Sequence, residues 1–214
     1  MSDPLIDSLA ADLTPVKRNR IGLRLALCVV AGLVLGAAVF WLLPGRMIRA
    51  DLGNAVLETN FWLKSGFTAA LATIGYFSLR QLSRPGGEAR IAVRLPMALW
   101  LALALTAAVS LILTPVDNWA GWILGSTAVR CVTYIVLISL PIMGLFFIAV
   151  RRGAPTRLAM AGWATGLAAG GLGATIYGLG CPESSVGFLA VWYALGIILT
   201  GLIGAITGRH LLRW

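Results

Sequence analysis

Two of the three cysteines are the residues of this chain with the most distinctive chemistry. Cys131 follows Arg130 and Cys181 precedes Pro182, so we expect each cysteine at the beginning of a helix. A thiol there meets the positive end of the helix dipole and unsatisfied N–H groups, which favour the thiolate. The pair could form a disulfide, react with an electrophile, or transiently bind a thiophilic metal ion. The alternative is a permanent structural disulfide, or two buried and unreactive thiols.

The neighbours of the two cysteines could support this chemistry. Arg130 would favour a thiolate by its charge, and Glu183 could supply an oxygen ligand. The sequence contains no CxxC motif and no His/Cys cluster. The third cysteine, Cys28, is predicted to be a small residue of an apolar core. It also lacks a glycine-rich phosphate loop and a nucleophile elbow, so it predicts neither an enzyme nor a cofactor.

The N-terminal tail carries a second pattern, an acidic amphipathic helix that Pro15 ends. Its narrow apolar stripe comprises Leu5, Ile6, Leu9 and Leu13, and its acidic residues are Asp3, Asp7 and Asp12. An acidic helix is repelled by an anionic membrane face, so its stripe needs another target. A groove on a basic cytosolic partner would suit it. The alternatives are packing against the chain's own loops and a mobile tail.

The elements that must position these residues are six long apolar segments. Of the 214 residues, 59% are hydrophobic and 12% are charged, and the mean hydropathy is +0.89, which is typical of a polytopic membrane protein. The segments cover residues 25–43, 61–79, 95–113, 131–150, 158–180 and 187–208. We therefore predict an all-α protein with a tail at 1–23 and a six-helix transmembrane domain at 24–214.

The basic residues predict the orientation of these helices. With the N-terminus cytoplasmic, 13 of the 17 lysines and arginines fall in the tail flank, the two inner loops and the C-terminus. This places both termini inside and Cys131 and Cys181 in the periplasm. The distribution also explains the pI near 10.5 without direct nucleic-acid binding. Lys64 and Arg130 fall near outer helix ends, where we expect their side chains to extend to the interface.

Glycines predict close helix packing. Gly162, Gly166 and Gly170 form one stripe, which suits a neighbouring helix of the same chain, with a homodimer seam as the alternative. No acidic or basic residue is expected at mid-span, which argues against an ion-coupled transporter.

Several short motifs together resemble one family. They are LIDSLAADLTPV in the tail, FWL at Phe61–Leu63, Arg130–Cys131, RRGAP at Arg151–Pro155, CPESS at Cys181–Ser185, Phe188 with Trp192, and the terminal GRHLLRW. In this order and topology the chain resembles the six-span anti-sigma factors of the NrsF type, negative regulators of an extracytoplasmic-function (ECF) sigma factor in the bacterial inner membrane.

The resemblance implies roles for both patterns. Cys131 and Cys181 would be periplasmic stress-sensing thiols, which we expect Arg130 and Glu183 to support. The tail would bind the sigma factor at the cytoplasmic face, through Leu5, Ile6, Asp7, Leu9, Asp12 and Leu13. A chemical change at the thiols would then release the sigma factor. The rival functions are a small membrane thiol oxidoreductase and a small-molecule transporter.

Overall fold

Helices make up the described part of the chain, which in this computed structural model comprises residue 11 and residues 20–44, 52–84, 86–88 and 90–213. The helices are α1 (Arg20–Leu42), α2 (Leu52–Ala55), α3 (Thr59–Leu82), α4 (Arg90–Ile112), α5 (Trp119–Leu124), α6 (Ala128–Val150), α7 (Leu158–Gly178) and α8 (Val186–Leu211). The six predicted segments coincide with the six long helices. The all-α prediction is confirmed for these residues, whereas the short helices α2 and α5 were not predicted.

Four stretches are long and apolar enough to cross a membrane. They are Ile21–Leu42, Arg90–Ile112, Val116–Val150 and Val186–Leu211. Of the two remaining long helices, α7 is rich in glycine, whereas α3 contains Lys64, Arg80 and several serine and threonine residues. Most residues of α7 are buried by the other helices, because α3, α6 and α8 surround it. A helix enclosed by protein in this way needs less apolar surface than one that faces lipid.

The close packing of α7 against α8 depends on the predicted glycine stripe. A Cβ atom on Gly162 would lie 2.1 Å from the carbonyl oxygen of Gly204, and one on Gly166 would lie 2.3 Å from that of Thr200. Only glycine permits this approach, because the obstructing atoms belong to the backbone. The stripe therefore packs within the chain.

The basic segments meet at one end of the helix bundle. The Tyr76 hydroxyl of α3 donates to the carbonyl of Gly22 in α1 at 3.3 Å. A Cβ on Gly153, between α6 and α7, would lie 2.7 Å from the Ser83 carbonyl oxygen. The other end contains Pro44, whose carbonyl accepts a hydrogen bond from Tyr134. The segments between α4 and α6 and between α7 and α8 also lie there.

Candidate functional site

Cys131 and Cys181 lie together in the interior at the end of the bundle opposite the basic segments. Cys131 is in the first turn of α6 and is 0% exposed, and Cys181 lies between α7 and α8 and is 1% exposed. Both are free thiols, and they are close enough to interact electrostatically. Of the alternatives left open by the sequence, the structure matches two buried thiols. Cys28 is separate and half-buried, and its thiol lies 3.5 Å from the carbonyl oxygen of Leu145.

The expectation that Cys181 begins a helix is wrong. The Cys181 N–H donates to the carbonyl of Tyr177 at 3.1 Å, so this residue continues the end of α7. The next helix begins only at Val186, where the Ser185 side chain accepts a hydrogen bond from the Phe188 N–H. Serine is a preferred N-cap, and it outcompetes Pro182 as the start signal. Cys181 therefore lies near the negative end of one helix dipole and not the positive end of another.

Aromatic rings enclose the thiols. The rings of Tyr177 and Tyr193 are 5.9 Å apart, and both residues interact with the two cysteines. Tyr134 packs edge-on against Tyr177 at 6.1 Å, and Phe188 packs against Tyr193 at 6.3 Å. Tyr193 belongs to a π-helical turn, Leu189–Tyr193, near the start of α8. Turns of this kind are frequent at functional sites.

Lys64 differs from its sequence-based prediction. Its side chain does not extend to an interface but is 4% exposed, and its ammonium group points into the thiol site. The Nζ atom donates to the carbonyl oxygen of Cys181 at 3.0 Å and to that of Glu183 at 3.1 Å. It also lies 5.8 Å from the centroid of the Tyr193 ring. The charge is held by these backbone dipoles and the aromatic face.

Glu183 is engaged by the segment before α6. Its Oε1 atom accepts hydrogen bonds from the backbone N–H and the hydroxyl of Ser126, both at 2.8 Å. Gly125, at φ +54°, makes the turn that brings Ser126 there, since side chains rarely tolerate this conformation. In this conformation Glu183 ties two segments together, and this oxygen is already occupied by two donors.

Two further hydrogen bonds fix the segment Trp119–Thr127 over the site. The Ser185 hydroxyl donates to the carbonyl of Trp122 at 2.7 Å, and the Trp192 indole donates to that of Ile123 at 2.9 Å. This segment therefore covers the residues that follow Cys181, and the side chain of Glu183 is one of the links between the two.

The other predicted site residues have exposed side chains or lie outside the described residues. The side chain of Arg130 is exposed. Of the tail, the structure describes only Ala11, which is helical and exposed, so Leu5, Ile6, Asp7, Leu9, Asp12 and Leu13 lie outside the described residues. Among the residues that are described, no three His, Cys, Asp or Glu side chains cluster as a metal site would require.

Comparison with known proteins identifies the family. A family described as "Negative regulator of sigma F" (NrsF) matches residues 9–214. The chain belongs to the NrsF family. Over its whole length it is 42% identical to the anti-sigma-F factor NrsF of Caulobacter vibrioides (strain NA1000 / CB15N), covering 99% of that protein. It is 33% identical to the "Probable anti-sigma-F factor NrsF" of Azospira oryzae (strain ATCC BAA-33 / DSM 13638 / PS), with the same coverage. No solved structure matches it significantly.

Sequence analysis missed three members of this NrsF site, namely Lys64, Tyr177 and Tyr193. A lysine within an otherwise apolar stretch was a usable signal, since such a residue normally faces protein and marks a site. The two tyrosines gave no comparable signal, because aromatic residues are common throughout the apolar segments.

Proposed function

We propose that this chain is a membrane-embedded anti-sigma factor that retains a sigma factor of the ECF type at the cytoplasmic face. The observation that carries this proposal is the full-length match to a protein named anti-sigma-F factor at 42% identity. The family description, a negative regulator of a sigma factor, names the same class of activity. Retention at the membrane would keep the sigma factor from RNA polymerase.

The proposed topology has six spans in the bacterial inner membrane, with both termini in the cytoplasm. Four helices have the length and composition of spans, and α3 and α7 pack among them as helices of similar length. The arginine-rich segments share one end of the bundle, as the positive-inside rule requires of cytoplasmic loops. The thiols then belong to the periplasmic side.

The proposed sigma-binding element is the tail at residues 1–23, whose part before Pro15 is acidic. Its stripe of Leu5, Ile6, Leu9 and Leu13 would enter an apolar groove on the sigma factor, and Asp7 and Asp12 would face basic residues at its rim. Binding of this kind needs no large folded domain.

The proposed stimulus is a chemical change at Cys131 and Cys181. A two-electron oxidant would remove two electrons and two protons and join the sulfur atoms, whereas a thiophilic metal ion would displace the protons and bind both. Either product changes the packing of α6 against the segment before α8. A switch from 1% to 99% release requires about 5.5 kcal/mol of differential interaction, which is comparable to the effect of a disulfide on stability.

Co-purification tests the function. The full-length protein, solubilised in detergent from its native host, should bring a sigma factor with it, identified by mass spectrometry. If no sigma factor is recovered with the wild-type chain, at native expression and low salt, the anti-sigma proposal is wrong.

Two matched substitutions test the tail. Leu9→Asp places a charge in the apolar stripe and should abolish co-purification, because the charge would have to be buried in the groove. Ala11→Asp adds the same charge on the opposite side of the predicted helix, where Ala11 is exposed, and should leave co-purification intact. Equal recovery of the sigma factor with both variants would exclude binding through the stripe.

A further inference from the structure

Lys64 is a buried cation beside Cys181, and it has no part in the proposed chemistry of the two thiols. It lies in the second turn of α3, while the carbonyls of Cys181 and Glu183, which accept hydrogen bonds from it, belong to the segment between α7 and α8. The ammonium group therefore bridges two elements more than 100 residues apart in sequence.

Lys64 lies beside the end of α7 and the ring of Tyr193. A Cβ atom on Gly178 would be in ordinary van der Waals contact with both, at 3.7 Å from Cε of Lys64 and 3.8 Å from the Tyr193 hydroxyl oxygen. The Tyr193 hydroxyl is buried without a well-formed hydrogen bond in the described structure, and it interacts with the Cys181 thiol. Lys64 and Tyr193 are thus both neighbours of Cys181, Lys64 through the backbone carbonyl and Tyr193 through the side chain.

The chemistry of the contact favours a positioning role. A lysine near a helix C-terminus hydrogen-bonds the last carbonyls and interacts favourably with the negative end of the dipole. Here the carbonyl of Cys181 follows the last turn of α7, and that of Glu183 lies two residues further. The two bonds fix the backbone on both sides of Pro182, and with it the location of the Cys181 sulfur.

We propose that Lys64 is the residue that holds the Cys181 segment closed and so limits the reactivity of this thiol. The proposal deepens the proposed sensing role. Cys181 reacts only when the segment moves away from α3, and a change at the thiol must break or strain the contacts of Lys64.

Helix α3 gives this contact a path toward the opposite end of the bundle. From Lys64 to Ser83 the chain rises about 28 Å at 1.5 Å per residue. The Ser83 carbonyl lies at the segment between α6 and α7, where a Cβ on Gly153 would meet it at 2.7 Å. A displacement of α3 at the thiol site would therefore reach the basic end, which is the proposed location of the sigma factor.

The test measures the reactivity of individual cysteines in the full-length protein in native membranes. N-ethylmaleimide alkylates the protein for increasing times, and mass spectrometry follows Cys181 and Cys28 separately. Lys64→Met keeps the length of the side chain and removes its charge and donors. Lys64→Arg keeps both, and Leu63→Met introduces methionine one residue away, at an exposed position of the same helix.

We expect Lys64→Met to speed alkylation of Cys181 by about tenfold or more, because two charge-assisted hydrogen bonds no longer oppose opening. Cys28, which lies outside the site, should keep its wild-type rate. Lys64→Arg and Leu63→Met should both react at Cys181 as the wild type does.

Three results would overturn the proposal. The first is an unchanged rate at Cys181 in Lys64→Met. The second is an equal increase at Cys28, which would show a general loss of stability. The third is Lys64→Arg behaving as Lys64→Met does, since a cationic donor would then not be what matters. None of these results depends on a sigma factor, whose retention is tested separately by co-purification.

Discussion

At the scale of single residues, the most consequential feature is that the thiols of Cys131 and Cys181 are enclosed. Neither sulfur is presented to solvent, and tyrosine rings, Lys64 and the Trp119–Thr127 segment surround them. A reagent can reach the thiols only through a local opening, whose free energy lies below that of global unfolding. Enclosure of this kind would keep an anti-sigma factor from responding to weak or transient oxidation.

We predict that Cys131→Ser with Cys181→Ser separates retention from release. Serine has nearly the same shape and cannot form a disulfide or a strong soft-metal bond. The double variant should therefore still retain the sigma factor, but diamide, a thiol oxidant, should no longer release it. Release is followed by the amount of sigma factor that co-purifies before and after treatment.

Cys28→Ser provides the control for this prediction, because its thiol is half-buried in α1 and separate from the site. This variant should respond to diamide as the wild type does. Release from the double variant at the wild-type level would rule out the sensing role of Cys131 and Cys181.

At the scale of elements, the contact of α7 with α8 holds the molecule together. The glycines of both helices allow backbone atoms to meet directly, as Gly204 does when it approaches the carbonyl of Gly162. The start of α8, with its π-helical turn, lies at the thiol site, and the π turn directs Tyr193 inward. In the proposed mechanism, the close packing further along α8 would let a change at the site displace the helix as a unit.

We predict that Gly162→Ala is strongly destabilising. Its Cβ would lie 2.1 Å from a backbone oxygen, which cannot move away without separating the helices, and overpacking of this kind costs about 1–3 kcal/mol or more. The midpoint of thermal unfolding in detergent, followed by tryptophan fluorescence, should fall by several degrees.

The matched control is Gly144→Ala in α6. A Cβ at this exposed position meets nothing within 4 Å. Alanine also favours a helix over glycine by up to about 1 kcal/mol of free energy, so the midpoint should stay unchanged or rise slightly. Similar midpoints for both variants would contradict the assigned packing of α7 on α8.

At the scale of the whole molecule, charge and chemistry are separated along the bundle axis. The arginine-rich segments gather at one end and the thiols at the other, so the proposed signal would have to travel the length of the helices. In a membrane this arrangement would connect two compartments, and the long helices would carry the connection as rigid elements.

We predict the corresponding topology from reporter fusions. Alkaline phosphatase fused after Leu57, between α2 and α3, should be active because the enzyme folds only in the periplasm. The same enzyme fused after Glu88, between α3 and α4, should be inactive, and green fluorescent protein at the C-terminus should fluoresce. Phosphatase activity after Glu88 but not after Leu57 would invert the topology and place the thiols in the cytoplasm.

Much of the fold could be predicted from the sequence, because periodic hydrophobicity and helix length report directly on local structure. The six long helices were predictable in this way, and the glycine spacing predicted close packing within the chain, although not that α8 is the partner. The start of α8 was not, because Pro182 and Ser185 both signal a helix start and only the surrounding contacts select Ser185.

The sequence by itself determined the helical class, the family and the grouping of arginines, since each follows from composition or from the linear order of motifs. Only the tertiary structure decided how the thiols are held. Lys64 is 117 residues from Cys181 in the sequence, and the meeting of the two residues depends on how helices approach one another in space. The burial of a charged lysine beside a thiol is favourable only when specific carbonyls receive it. Local sequence patterns do not encode that condition.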